Sequence, residues 1–479
     1  MRLQLPAAVN MIIDVLQAHG YEGFAVGGCV RDSVLNRTPD DWDITTSATP
    51  YQVKELFPKT VDTGLQHGTV TVMVHGVGYE VTTYRIDGEY EDGRHPKEVQ
   101  FTSNLTEDLK RRDFTINAMA YSKDRGLIDE FGGMNDLQRK IIRCVGDPWQ
   151  RFGEDALRIL RAVRFAAQLG FEIEENTKKA IVELAPTLSK ISAERIQTET
   201  VKLLMSDRPE MWRSVYDLGI TRIIMPEFDA IMETPQNTPH HMYNVGEHTL
   251  KALSLTEKDR ILRLTMLLHD IGKASMRTTD ANGVDHFKGH GPAGKEIAKK
   301  ILRRLKFDND TIAQVTHLIY WHDYRPAPEE KAVRRAIHKV GEDLFPLFLK
   351  VQRADNLAQS MYLREEKLAR IDGVEKLYHE IMEKHQCVSL KTLAVTGRDL
   401  IAEGMKPGPQ MGAVLQELLE VVLDQPEMNE KEKLLAWWKE HGTCQKAEGT
   451  LEIKGYKIQN SGRVRGRNNG YQKIRRRHS

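Results

Sequence analysis

A short apolar run, Phe24-Ala25-Val26, leads directly into Gly27-Gly28-Cys29-Val30-Arg31-Asp32, and the chain then reads Asp41-Trp42-Asp43. This order restricts the fold more than any other feature. A strand has to end at the glycines, which permit a sharp turn and let backbone N–H groups approach an anion, with Arg31 adding positive charge. If Asp41-Trp42-Asp43-Ile44 is a second strand, alternation places both carboxylates on one face. Two convergent carboxylates suit Mg²⁺, a hard cation that keeps substrate phosphate in its shell. Alone, Asp-x-Asp fits a solvated turn after Thr38-Pro39-Asp40 equally well. The strand and glycine pair upstream shift the reading to metal-dependent nucleotidyl transfer.

The surrounding pattern is that of a small α/β head. Ala7 to His19 predicts an amphipathic helix, and Gly23–Val26, Asp43–Thr45, Thr69–His75 and Tyr79–Tyr84 predict strands, with glycines at 64, 68, 76 and 78 marking turns. Beyond about residue 150 the periodicity is helical, so the fold class is α+β. At 479 residues the chain holds about three or four domains. The expected divisions are a head over 1–135, a helical neck over 136–235, a histidine-rich module over 240–360, a helical body over 361–445 and a basic tail over 446–479.

Net charge is only +1, so the distribution of charge says more than its sum. Arg463, Arg465, Arg467, Lys473 and Arg475-Arg476-Arg477 make the tail strongly basic, which fits either a solubilising extension or non-specific grip on RNA. The four cysteines, Cys29, Cys144, Cys387 and Cys444, have no paired spacing, which argues against a disulfide framework or zinc knuckle. No signal-peptide pattern or membrane-length apolar run is present, and a cytoplasmic location is expected.

Further stretches point the same way. Arg85 to Arg94 is a Gly-rich segment of mixed charge, expected to form a mobile loop, and Glu80 before it either joins the carboxylates or faces solvent. Lys110-Arg111-Arg112-Asp113 supplies cations suited to forked phosphate contacts. Phe152 to Phe165 predicts one helix carrying Asp155, Arg158, Arg161 and Arg164 at i+3 steps. Cytosine and adenine each present an amino donor beside a ring-nitrogen acceptor. A carboxylate at Asp155 and a guanidinium at Arg158 match that pair, whereas uracil and guanine reverse it. Ile191 to Glu199 begins another helix with Ser192 at its N-cap, and its charges are placed to brace the site from behind.

Taken together and in this order, these motifs resemble the class II tRNA nucleotidyltransferases, the CCA-adding enzymes, a family that includes bacterial poly(A) polymerases. The resemblance covers the head and neck to about residue 205 and, more weakly, the helical body. It implies a polymerase-β-like nucleotidyltransferase head followed by helical neck, HD and body/tail domains. It implies Asp41 and Asp43 as catalytic Mg²⁺ ligands, Gly28, Arg31 and Arg112 on the triphosphate, and Asp155 and Arg158 as an amino-acid template supported by Arg161 and Arg164. Gly397 to Pro409 resembles the family's tRNA-gripping body and tail. The implied activity is template-independent addition of CCA to tRNA from CTP and ATP, with pyrophosphate released. A full-length Arg85–Arg94 loop favours an enzyme able to add the terminal A. An A-adding or poly(A) polymerase is the alternative.

The histidine-rich module has its own pattern. His248, the pair His269-Asp270 and the distant Asp355 can converge as ligands of one divalent metal. With Gly272-Lys273 they resemble the HD phosphohydrolase superfamily, which implies a second divalent transition metal and phosphate-ester hydrolysis, including cyclic phosphodiesterase chemistry, as a main or second activity. His290 and His322 would complete a second metal site or contact phosphate.

Overall fold

The computed structural model describes residues 2–88 and 99–442. Its contacts divide the chain into two compact units, Met1–His385 and a second beginning at Gln386.

The first unit opens with α1 (Ala7–Ala18), which buries Val9, Ile12, Ile13 and Leu16. β1 (Gly23–Val26), α2 (Gly28–Val34), β2 (Asp43–Thr46), α3 (Pro50–Leu56), β3 (Thr60–Gly64), β4 (Thr69–Val74) and β5 (Val77–Thr83) follow, then a ribbon of β6 (Arg85–Asp87) and β7 (Val99–Phe101). After α4 (Leu105–Lys110) come β8 (Met119–Ser122), β9 (Gly126–Asp129) and α5 (Gly133–Arg139). Seven strands form one sheet in the order β3-β4-β5-β2-β1-β8-β9. Ile44, Val70, Val72 and Val81 on its central strands are buried, and alternation on β4 separates them from half-buried neighbours.

Two pairings matter for the site. β1 runs antiparallel to β2 with Ala25 opposite Ile44, so the glycine turn at the end of β1 lies beside the start of β2. β2 and β5 are parallel with Asp43 directly opposite Glu80.

The neck follows with α6 (Pro148–Glu154), α7 (Leu157–Leu169), α8 (Glu175–Leu184), α9 (Ala193–Leu204), α10 (Trp212–Asp217), α11 (Thr221–Ile224) and α12 (Pro226–Met232). The expected helix over 152–165 is therefore two helices. Asp155 adopts an extended backbone (φ −143°, ψ 103°), and its Oδ1 accepts from Leu157 N at 3.0 Å. An Asp side chain offering this local bond competes with the helix for the backbone and starts a new one. Ser192 does precede α9 in extended conformation, without a side-chain cap bond.

The histidine-rich region is helical, with α13 (Val245–Ser254), α14 (Arg260–Leu268), α15 (Lys273–Met276), α16 (His290–Arg304), α17 (Asn309–Trp321), α18 (Glu330–Val340), α19 (Phe345–Ala358) and α20 (Arg364–Glu383). Asn244 and Asp259 cap α13 and α14 through Glu247 N and Leu262 N. α14 packs on α9, and buried Arg263 fixes the contact. Its Nη1 donates to Leu204 O (2.5 Å) and Ser206 O (2.7 Å), and its Nη2 to Thr256 O (3.0 Å).

The second unit holds α21 (Gly397–Ala402), α22 (Pro409–Asp424) and α23 (Lys431–His441) around Leu400, Leu418, Leu419, Val422, Leu434 and Trp438. Among the described residues no helix is long and apolar enough to cross a membrane. The expected mobile loop lies mostly, and the basic tail wholly, outside the described residues.

Candidate active site and a buried histidine centre

Asp43 opens β2, and Asp41 stands two residues before it, on the approach to the strand and not within it. Asp41, Asp43 and Glu80 are all solvent-exposed. Among the described residues none of their carboxylates takes part in an ion pair or hydrogen bond. Although its surface reaches solvent, the protein packed around the Asp43 carboxyl desolvates it and pushes it up; Arg112 opposes this and Asp41 adds to it. Glu80 is raised by burial, then by Asp43 and Asp41. Three neighbouring carboxylates, with no cation paired to them among the described residues, form a donor set that fits a hard divalent ion. Sequence reasoning left Glu80 open; its register opposite Asp43 is the signal that places it.

The glycine turn meets this face. Gly27 has φ +82°, a backbone conformation that favours glycine, and a Cβ there would lie 3.0 Å from Arg112 Nη1 and press that guanidinium aside. Gly28 begins α2. Arg31 is buried: its Nη1 donates to Asn117 Oδ1 (2.7 Å), and Nε and Nη2 donate to Asp32 (3.0 and 2.8 Å). Arg112 is positioned by Asp108, a buried acid that sequence reasoning missed. Asp108 accepts Arg111 Nε and Nη2 (2.9 and 2.7 Å), Arg112 Nη2 (3.4 Å) and Thr45 Oγ1 (3.1 Å). Despite burial, Arg111 and Arg112 hold the Asp108 carboxyl below its usual range.

The neck arginines do not form the free stripe their spacing suggests. Arg158 donates to Glu154 Oε2 (2.6 Å), Arg151 O (3.0 Å) and Arg111 O (3.1 Å). Arg161 Nε donates to Asp113 Oδ2 at 2.8 Å. Burial opposes ionisation of Asp113, but Arg161 and Asn117 bring its pKa down to about 2. Arg164 is buried, stacked 3.9 Å from the Phe165 ring centroid, with Nε on Glu199 Oε2 at 2.5 Å. Asp155 Oδ2 accepts from Arg195 Nη2 at 2.7 Å, so Asp155 and Arg158 each have other partners.

The histidine-rich helices bring their expected ligands together in the interior. His248 Nε2 lies 2.9 Å from Asp355 Oδ1, and His269 Nε2 lies 3.3 Å from Asp270 Oδ2. His290 and His322 join them at 3.7 and 3.5 Å from Asp270 Oδ1. Two triads, His248–His269–Asp270 and Asp270–His290–His322, thus share Asp270 and have the spacing of ion ligands. Nδ1 of His269, His290 and His322 donates to Met266 O (2.8 Å), Phe287 O (2.8 Å) and Ile319 O (2.6 Å). These bonds fix the tautomers and leave each Nε2 a lone pair facing inward. His290 Nε2 and His322 Nε2 are 3.1 Å apart, so two acceptors face each other and need a proton or cation between them. Buried His248 Nδ1 and His269 Nε2 lack hydrogen-bond partners. This donor set fits a divalent transition metal. A cavity of about 560 Å³ opens from the cluster, lined among others by His240, His241, Lys273, Arg325, Lys367 and Arg370.

The head and this carboxylate face define a nucleotidyltransferase: residues 23–143 match the family model described as the poly A polymerase head domain. Residues 170–232 match a model for the RNA- and SrmB-binding site of polymerase A, and 293–438 one for tRNA nucleotidyltransferase domain 2. The CCA-adding enzyme of Levilactobacillus brevis is 36% identical over 90% of this chain and 98% of its own length. That of Pediococcus pentosaceus is 38% identical over 88% and 95%. The crystal structure of the Bacillus stearothermophilus CCA-adding enzyme in complex with CTP superposes with a TM-score of 0.66 at 31% identity, covering 91% of this chain and 97% of that one. The chain belongs to the CCA-adding enzyme family.

Proposed function

We propose that this protein completes and repairs the 3′-terminal CCA of tRNA with CTP and ATP, releasing pyrophosphate. The observation that carries the reading is the unpaired Asp41–Asp43–Glu80 face beside the Gly27 turn and Arg112. Asp41 and Asp43 would hold Mg²⁺, which when bound supplies Lewis-acid activation of the attacking hydroxyl and countercharge for the phosphates. The backbone at Gly28, with Arg31 and Arg112, orients the triphosphate so that the tRNA 3′ oxygen attacks the α-phosphorus and the α–β bridging bond breaks. Before that transfer, Asp155 exchanges its Arg195 contact for the amino group of cytosine or adenine, and Arg158 turns from Glu154 to the ring nitrogen. Arg161 and Arg164 keep α7 in place through Asp113 and Glu199. The five-part division into head, neck, histidine module, body and tail, with the basic tail assisting on RNA, and a cytoplasmic location, belong to the same reading.

The test is extension of tRNA ending at the discriminator base with Mg²⁺ and CTP, ATP or both. Full CCA with both nucleotides supports the reading. A long A tract with ATP alone, or addition only to tRNA already ending in CC, would replace it with a poly(A) or A-adding polymerase.

The facing Nε2 atoms of His290 and His322 favour a second activity. His248, His269, Asp270 and Asp355, with His290 and His322, would hold a divalent centre suited to phosphate-ester hydrolysis, of the HD phosphohydrolase kind. Metal content by mass spectrometry tests it. Stoichiometric transition metal in the intact chain and its loss in His269→Ala are expected, and equal content in both would refute the centre.

A further inference from the structure

A buried chain of hydrogen bonds runs from Arg31 on α2 to Arg161 on α7, and a single amide carries it. Asn117, 6% exposed, ends the 3₁₀ turn Thr115–Asn117 that precedes β8. Its Oδ1 accepts from Arg31 Nη1 at 2.7 Å, and its Nδ2 donates to Asp113 Oδ1 at 3.1 Å. A guanidinium only donates and a carboxylate only accepts, so one orientation of the amide satisfies both neighbours. Asp113 is itself fully engaged. Its Oδ1 also accepts from Phe114 N (2.8 Å), and its Oδ2 takes Arg161 through Nε (2.8 Å) and Nη2 (2.6 Å). Turning the Asn117 amide therefore frees one side of the carboxylate that holds Arg161. A second path joins the same two arginines: their guanidiniums lie 5.0 and 5.3 Å from the centroid of one ring, Phe165 of α7. Arg31 Nη2 also stands at the glycine turn, 3.7 Å from where a Cβ on Gly28 would be. Among the described residues three of the five Arg31 N–H groups donate, one to Asn117 and two to Asp32, which leaves two for a ligand.

We propose that Asn117 is a positioning residue that couples triphosphate binding to base selection, passing the state of Arg31 through Asp113 and Arg161 to α7. This rests on the reading of Arg31 as a triphosphate contact and of Asp155 and Arg158 as the base-selecting pair. Phosphate oxygens that engage Arg31 compete with Asn117 Oδ1 for its N–H groups. The amide, Asp113 and Arg161 then settle in a different arrangement once the triphosphate is seated. Because α7 carries Arg158 as well as Arg161, the base is tested in full only when the phosphates are in place. Hydrogen bonds in series polarise one another, and sites joined in this way affect each other reciprocally. An amide that only filled the interior would leave discrimination between bases independent of Arg31.

The experiment is a double-substitution cycle in the full chain, read in single-nucleotide addition to tRNA ending at the discriminator base. Discrimination is the ratio of kcat/KM for CTP to that for UTP. Arg31→Lys is expected to raise KM for CTP and to lower discrimination about tenfold, an ordinary size for coupling between two sites. Asn117→Asp keeps the acceptor for Arg31 but sets a carboxylate against Asp113, and it should lower discrimination by a similar factor. Combined, the two should lower it no further than either alone, while KM for CTP stays raised as in Arg31→Lys. Asn117→Ser, which leaves a gap in place of a charge, carries the same cycle if Asn117→Asp unfolds. Full discrimination in the Asn117 variants, or effects of Arg31 and Asn117 on it that multiply, overturns the coupling alone. An unchanged KM for CTP in Arg31→Lys overturns the triphosphate contact, and unchanged discrimination in Asp155→Ala overturns the base-selecting pair.

Discussion

Arg195 on α9 donates to Asp155 Oδ2 at 2.7 Å, reaching the residue that separates α6 from α7. The carboxylate proposed to select the base is therefore held from a different helix than the one carrying Arg158. Arg195→Met should raise UTP and GTP misincorporation while CTP and ATP are still added, with a smaller effect than Asp155→Ala. Single-nucleotide incorporation with each of the four NTPs checks this, and unchanged selectivity in both variants would remove the template role.

Asp43 and Glu80 are direct neighbours across two parallel strands. Asp43→Asn should abolish addition of both C and A. Glu80→Gln should lower kcat by about 10²-fold with little change in KM for CTP, as expected when charge stabilisation at the reacting phosphate is lost. A Glu80→Gln enzyme with full kcat would confine the site to Asp41 and Asp43.

Glu199 pairs with Arg164 at 2.5 Å and approaches Arg161 at 3.8 Å, with the Arg164 and Glu199 side chains almost completely buried. Glu199→Gln leaves buried guanidinium charge uncompensated and should cost roughly 3–5 kcal/mol in urea unfolding. A loss below about 1 kcal/mol would mean that water or rearrangement satisfies the arginines.

Asp113 gives the acid limb of stability. Its folded pKa of about 2, held there by Arg161 and Asn117 against burial, lies below the unfolded value. Its contribution is therefore complete above about pH 4 and is lost as the pH falls towards 2, amounting to roughly 2 kcal/mol. Asp113→Asn should flatten the decline between those pH values in denaturant titrations. An unaltered slope would assign the acid sensitivity to other carboxylates.

The strands of the head were legible because short β-branched and apolar runs there are set off by turn residues, and the expected bounds fall within a residue or two of the observed β1, β2, β4 and β5. The short α2 was not, since seven residues beginning at a glycine have no helical periodicity to read. The break at Asp155 was hidden for a different reason. Charges at i+3 steps continue in register across it, and only the Asp preceding Ala156-Leu157 signals the new start. That His248, His269, Asp270 and Asp355 come together was legible from residue type and order. The outward Nδ1 bonds that orient Nε2 of His269, His290 and His322 depend on backbone carbonyls that no spacing rule discloses. Asp108 was missed because a buried acid on a six-residue helix looks like any surface charge until its arginines fold over it.

Arg263 sits where α14 meets the end of α9, and its guanidinium supplies the donors that Leu204 O and Ser206 O would otherwise lack. The same α9 carries Arg195 and Glu199, so the histidine-bearing helices act as a doorstop for the helix that holds Asp155 and Arg164. A surgical deletion of residues 240–360 would therefore remove more than the histidine cluster. Loss of fidelity in such a shortened chain would be the signature of a missing strut, and adding metal back could not repair it.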